Sequence, residues 1–162
     1  MTNAAARSCC VLTLVLSLAC AWFDDERTEI RDRLRQLTER VNTVAPEGLG
    51  SVTRAAEIGM FFTDDVVVEF GEGSAPIQGR ETLIAMATRL QLRLAEFRLD
   101  FTDANIQLAA DKQTADVTLT AEFIRRDPSA RQQMDAREFK LQMRRENGEW
   151  RIARVTAVDT LK

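Results

Sequence analysis

The sequence predicts an α+β fold: three N-terminal helices packed on the concave face of a curved, mainly antiparallel sheet. Two observations predict it. Apolar residues in the first half recur at helical spacing, and from about Phe97 onward they alternate with polar ones. Helices first and a run of strands last is the α+β layout.

The chain has 162 residues, 45% hydrophobic and 29% charged, which suits one domain with one core. Net charge is −3, with 22 basic and 25 acidic residues interspersed, so there is no basic stripe for nucleic acid. His and Tyr are both absent. That removes the usual general base near neutral pH, the phenol donor of many enolisation sites and any His-based metal site. No metal and no cofactor is implied.

Residues 1–19 read as a signal peptide and 20–162 as a single domain. Arg7 precedes an apolar run from Cys9 to Phe23, and acid follows at once in Asp24 and Asp25. That run is shorter than the about 20 residues that cross a bilayer, and its pattern is that of a secretory signal. Leu16-Ser17-Leu18-Ala19-Cys20 is similar to a bacterial lipobox, which makes Cys20 the lipidated first mature residue. Ala21 in the next position, in place of an acid, favours the outer membrane, and hence a periplasmic lipoprotein. The rival is ordinary cleavage at Ala21, after Ala19-Cys20-Ala21, with secretion. Cys9, Cys10 and Cys20 all lie in this segment, so the folded domain has no disulfide, zinc cluster or thiol nucleophile.

Asp24-Asp25-Glu26 suits a helix N-terminus. Ile30, Leu34, Leu37 and Val41 then form one apolar stripe, with Arg31, Arg33, Arg35 and Arg40 off it on a solvated face. Asn42 to Gly50 is a loop, and Ser51 caps a second short helix through Met60. Asp65 to Phe70 is a β-branched strand. A loop follows to Gly79, then a third helix from Arg80 to about Leu92. Phe97, Leu99 and Phe101 alternate with charged residues, as do Ala115, Val117, Leu119, Ala121 and Phe123 with polar ones. Two more strands close the chain.

Asn147-Gly148 between two alternating runs predicts a two-residue hairpin turn. Regular pairing from that turn sets Glu146 against Glu149, Arg145 against Trp150, Met143 against Ile152, Leu141 against Arg154, and Phe139 against Thr156. The face holding Met143, Leu141, Phe139, Trp150 and Ile152 is the core side, so Arg154 and Thr156 fall on it too, with Arg137 further along. A second turn at about Asp127 to Ala130 sets Leu119 opposite Phe139, Ala121 near Arg137 and Phe123 near Asp135. One end of the inner face is thus dry. The other mixes Phe123 and Phe139 with Asp135, Arg137, Arg154 and Thr156, and these six are the ligand-pocket candidates. A buried guanidinium needs a partner. Two solutions stay open for Arg154: an ion pair with Asp135, Asp64 or Asp65, or a pocket in which it meets a bound anion. Arg145 over Trp150 reads as rim cation–π packing.

Phe61-Phe62-Thr63-Asp64-Asp65-Val66-Val67, Ile77-Gln78-Gly79-Arg80-Glu81 and Gly148-Glu149-Trp150-Arg151-Ile152, in that order, resemble the nuclear transport factor 2-like superfamily. It includes SnoaL-like polyketide cyclases, ketosteroid isomerases and scytalone dehydratases. The resemblance covers about Asp24 to Leu161. It implies a cone-shaped α+β barrel with a pocket between the concave sheet and the helices. The enzymes of this superfamily use an aspartate with tyrosine, or histidine with tyrosine, and this chain has neither His nor Tyr. An acid or base would have to be Asp64, Asp65, Asp100 or Asp135, with Arg154 stabilising an oxyanion.

The leading expectation is therefore a secreted or lipid-anchored, non-catalytic binding module of the cell envelope. It would take a small amphipathic or anionic ligand, or a protein partner. The membrane is reached through the lipid anchor only, and a homodimer would use the outer sheet face, where Ala153, Val155 and Ala157 make an apolar strip. The alternative is a cyclase, isomerase or dehydratase using an aspartate base with Arg154. A structural subunit with a filled cavity is the third.

Overall fold

The computed structural model describes residues 25–43, 49–71, 73–94, 97–125 and 134–158. The signal segment with Cys20, and the turn at Asp127 to Ala130, lie outside the described residues.

Helix α1 covers residues 25–42, α2 Leu49–Gly59 and α3 Arg80–Leu94. Strands are β1 Phe62–Glu69, β2 Ile77–Gln78, β3 Phe97–Leu108, β4 Thr114–Arg125, β5 Met134–Glu146 and β6 Glu149–Ala157. They form one sheet in the order β2-β1-β6-β5-β4-β3, antiparallel except for β1 beside β6. The expected α+β architecture is thus the one the chain adopts.

The α1 stripe does what its spacing implies. Ile30, Leu34 and Leu37 are buried against Val117, Leu119, Leu141, Met143, Trp150 and Ile152, and Val41 packs at the margin. At its C-terminal end the Asn42 carboxamide is hydrogen-bonded both ways to Leu99 on edge strand β3. Its Nδ2 donates to the Leu99 carbonyl and its Oδ1 accepts from the Leu99 N–H, each at 2.7 Å. Helix α2 begins two residues before Ser51, since Gly50 is tolerated in a first turn whose N–H groups need no helical partner.

β1 begins at Phe62, three residues earlier than its β-branched run implies. The segment before Gly79, read as loop, holds β2. Gly71 and Gly73 have φ of 106° and 85°, which folds Ile77-Gln78 back onto Val67-Val68. Val66, Val68 and Ile77 make a second small buried cluster there.

Two strands carry an extra residue. In β3, Thr102 pairs with Thr120 but Asn105 pairs with Thr118, and Asp103 sits at φ 53°. In β6 the count slips at Ala153, between the Ile152–Met143 and Arg154–Gln142 pairs. A bulge of one residue swaps the two faces of everything beyond it. Leu99 and Phe101 pack on the core before the β3 bulge, and Ala104, Ile106 and Leu108 after it.

Candidate functional site

The Asn147-Gly148 turn forms as expected, with both residues at positive φ (53° and 83°). Glu146 faces Glu149, Arg145 faces Trp150 and Met143 faces Ile152. Beyond the bulge the regular register fails. Leu141 faces Val155, Gln142 faces Arg154, Lys140 faces Thr156 and Phe139 faces Ala157. Val155 therefore packs on the core and Arg154 on the outer face.

This corrects the expected placement of Arg154 and Thr156. Neither lies on the apolar face. Arg154 Nη1 donates to Glu69 Oε1 at 2.8 Å, and Thr156 Oγ1 donates to Glu69 Oε2 at 3.0 Å, all three on the outer surface. The ion-pair partner is Glu69, not Asp135, Asp64 or Asp65. The outer strip expected from Ala153, Val155 and Ala157 is corrected too. Val155 faces inward, and the surface around Arg154 is lined by Gln107, Asp116, Thr118, Lys140 and Gln142.

The β4–β5 register is the expected one: Leu119 faces Phe139, Ala121 faces Arg137 and Phe123 faces Asp135. Phe123 and Phe139 line a cavity of about 200 Å³ between α1, α2 and the concave sheet. Leu37, Phe101, Leu119 and Val155 complete much of its wall, and every described residue lining it is apolar. On β5 the inward-facing positions run Met143, Leu141, Phe139, Arg137, Asp135. The last two are exposed, and Arg137 Nε lies 3.8 Å from Asp135 Oδ2. So the six candidates separate into a cavity pair (Phe123, Phe139), a charged pair beyond it (Arg137, Asp135) and an outer-face pair (Arg154, Thr156).

The aspartates weighed as acid or base are held outside the cavity. Asp64 pairs with Arg80, and Asp100 with Arg98 at 3.2 Å. Asp65 pairs with Arg144 at 2.7 Å. The Arg144 hydrogen bonds hold the Asp65 carboxyl below the usual carboxylate range, and Asp65 in turn raises the guanidinium. Among the described residues no group of three His, Cys, Asp or Glu could hold a metal ion.

Sequence reasoning missed Arg33. It was assigned to a solvated face, yet its side chain is only 19% exposed. The guanidinium stacks 4.2 Å from the Phe61 ring, and its nitrogens donate to the carbonyls of Trp150 and Met60, each at 3.2 Å. Burial lowers its pKa from the ordinary guanidinium value, with Glu149 acting against that. Position 33 is three after Ile30 and four before Leu37, so it flanks the buried stripe, and a long side chain there can lie along it. Arg145 stacks on Trp150 at 5.8 Å as expected, and its ends reach Glu26 at 2.6 Å and Glu29 at 3.1 Å.

These contacts join the three stretches on which the sequence resemblance rests. Asp64 of the first pairs with Arg80 of the second, the Ile152 N–H of the third donates to the Phe61 carbonyl at 2.9 Å, and Arg33 bridges Phe61 and Trp150.

Solved structures of similar fold accord with this. An NTF2-like protein with a cystatin-like fold from Novosphingobium aromaticivorans is 18% identical, with TM-score 0.67 over 89% of this chain and 88% of that one. A protein of unknown function from Mycobacterium tuberculosis is 22% identical, with TM-score 0.64 over 86% and 76%. A candidate scytalone dehydratase from Novosphingobium aromaticivorans is 13% identical, with TM-score 0.62 over 84% and 85%. No curated protein matches. The SnoaL-like domain model matches residues 26–156, from the first turn of α1 to the end of β6, and by that match the chain belongs to the SnoaL-like domain family.

Proposed function

We propose that this chain is a non-catalytic binding module of the cell envelope, tethered by lipid at Cys20, that holds a small ligand in the cone cavity. One observation carries the reading: the described walls of that cavity are apolar throughout. Acid–base chemistry needs a donor or acceptor within hydrogen-bond reach of the reacting atom, and no described wall residue has one in its side chain. Shape and dispersion can hold a molecule there without one. The test is native mass spectrometry of the protein purified from its own host. A co-purified small molecule that is lost when Leu119→Trp fills the cavity supports the module; an unliganded protein, inert to every added apolar compound, overturns it. For the tether, Cys20→Ser should move the protein from the membrane fraction to the soluble one.

The likeness to a candidate scytalone dehydratase favours a second reading, an enzyme of the cyclase, isomerase or dehydratase kind. Asp135 is then the aspartate to examine, being on the inward-facing line of β5 beyond the cavity. In an enzyme, Asp135→Asn leaves binding of the co-purified molecule intact and stops its turnover. In a binding module there is no turnover to stop.

A further inference from the structure

We infer that the ligand is an anionic amphiphile with a short apolar body, its body in the cavity and its head on Arg137. This rests on the binding reading above and goes beyond it in size, charge and orientation.

Size follows from the cavity. It measures about 200 Å³. An apolar cavity of about 150 Å³ stays dry and takes one benzene ring. The space here therefore suits one ring or an alkyl stub of about six to eight carbons, by the same comparison.

Polarity follows from the wall. A hydroxyl or carbonyl buried there would lose its water and meet only Leu, Val, Ile, Ala and Phe side chains. The body is hydrocarbon.

Charge and direction follow from β5. Its inward line is apolar through Phe139 and turns cationic at Arg137, two residues or about 7 Å further along the strand. Arg137 is 59% exposed, and among the described residues its one ion-pair partner is Asp135, through Nε at 3.8 Å. That separation is too long for a strong hydrogen bond. The Nη1 and Nη2 fork makes no ion pair with a described residue, and a fork suits a carboxylate, sulfonate or phosphate. The residue opposite Arg137 on β4 is Ala121, which takes up little room beside it.

A free acid and the chain end of a membrane lipid share this chemistry, and titration separates them. The probes are hexanoate, octanoate, decanoate and dodecanoate, with 1-octanol as the uncharged match, titrated calorimetrically into the purified protein. Vesicles of phosphatidylcholine with phosphatidylglycerol form a parallel sedimentation arm. Affinity should rise to about eight carbons and then level, as the cavity fills. Octanoate should bind about two- to fivefold more tightly than octanol, as expected for one ion pair at a largely exposed arginine. Arg137→Gln, a surface change with the fold checked by circular dichroism, should erase that difference and leave octanol binding as it was. Equal binding of octanoate and octanol overturns the inference while leaving a binding module. Affinity still climbing at dodecanoate, or vesicle binding that Leu119→Trp abolishes, overturns the size limit in favour of a lipid chain. No binding by any probe, octanol included, overturns the module itself.

Discussion

Arg154 and Glu69 are joined by a 2.8 Å hydrogen-bonded ion pair on the outer face of the sheet, between neighbouring strands β6 and β1. Their side chains are 42% and 40% exposed, so water and salt share in the interaction. Arg154→Met should then cost no more than about 0.5 kcal/mol in a urea melt. Ligand binding, measured by thermal shift, should be unchanged. Loss of binding would return Arg154 to the site.

Ala153 is the extra residue of the β6 bulge, beyond which Arg154 faces outward and Val155 inward. Deleting Ala153 leaves Ile152 opposite Met143, Arg154 opposite Gln142 and Val155 opposite Leu141, now in unbroken alternation, so the guanidinium stays outside and the core is unchanged. The urea midpoint, read by tryptophan fluorescence, should therefore shift little. A large drop would mean that the bulge itself holds the strand, or that the deletion has turned Arg154 inward.

Gly59 ends α2 where that helix meets α3. A Cβ built there would lie 2.5 Å from Ile84 Cδ1 and 2.7 Å from its Cγ1. Overpacking costs typically about 1–3 kcal/mol, partly offset by alanine's better helix propensity of about 1 kcal/mol. Gly59→Ala should destabilise by about 1 kcal/mol net, the difference between those two effects. Ile84→Val removes the nearest atom, so the double variant should lose less than the two single costs added together. Strict additivity in that cycle would show that the two residues do not press on each other.

Asp65 has its pKa depressed by Arg144, so its contribution to stability is complete above the unfolded value of about 4 and fades as pH falls through the lower folded value. Asp65→Asn should therefore be slightly less stable than the parent at pH 7, by about 0.5 kcal/mol for so exposed a pair, and the gap should close below about pH 4. Urea melts at pH 7 and pH 3 read this directly. A gap that widens in acid would mean that the partner assignment is wrong.

Much of the fold is legible because its signals are local. The α1 stripe follows from a period of 3.6, the last hairpin from Asn147-Gly148, and the β4–β5 register from matching apolar faces, even with a longer turn between the strands. The site was misread at one step. Ala153 carries no glycine and no turn chemistry to mark a bulge. The mark is the spacing itself: Ile152 to Val155 is three, where uninterrupted alternation would give two. Phe101 to Ala104 shows the same spacing at the other bulge. Arg33 escaped for a different reason, since a polarity pattern records the head of an arginine and not the length of its stem.

Asn42 seals one position on the outermost rung of the sheet, and the kink at Asp103 bends the same strand a few residues on. A neighbouring chain seeking to zip onto that margin meets an amide already engaged at Leu99 and a backbone that no longer runs straight. Fibril-like growth from β3 is thus hindered at two points.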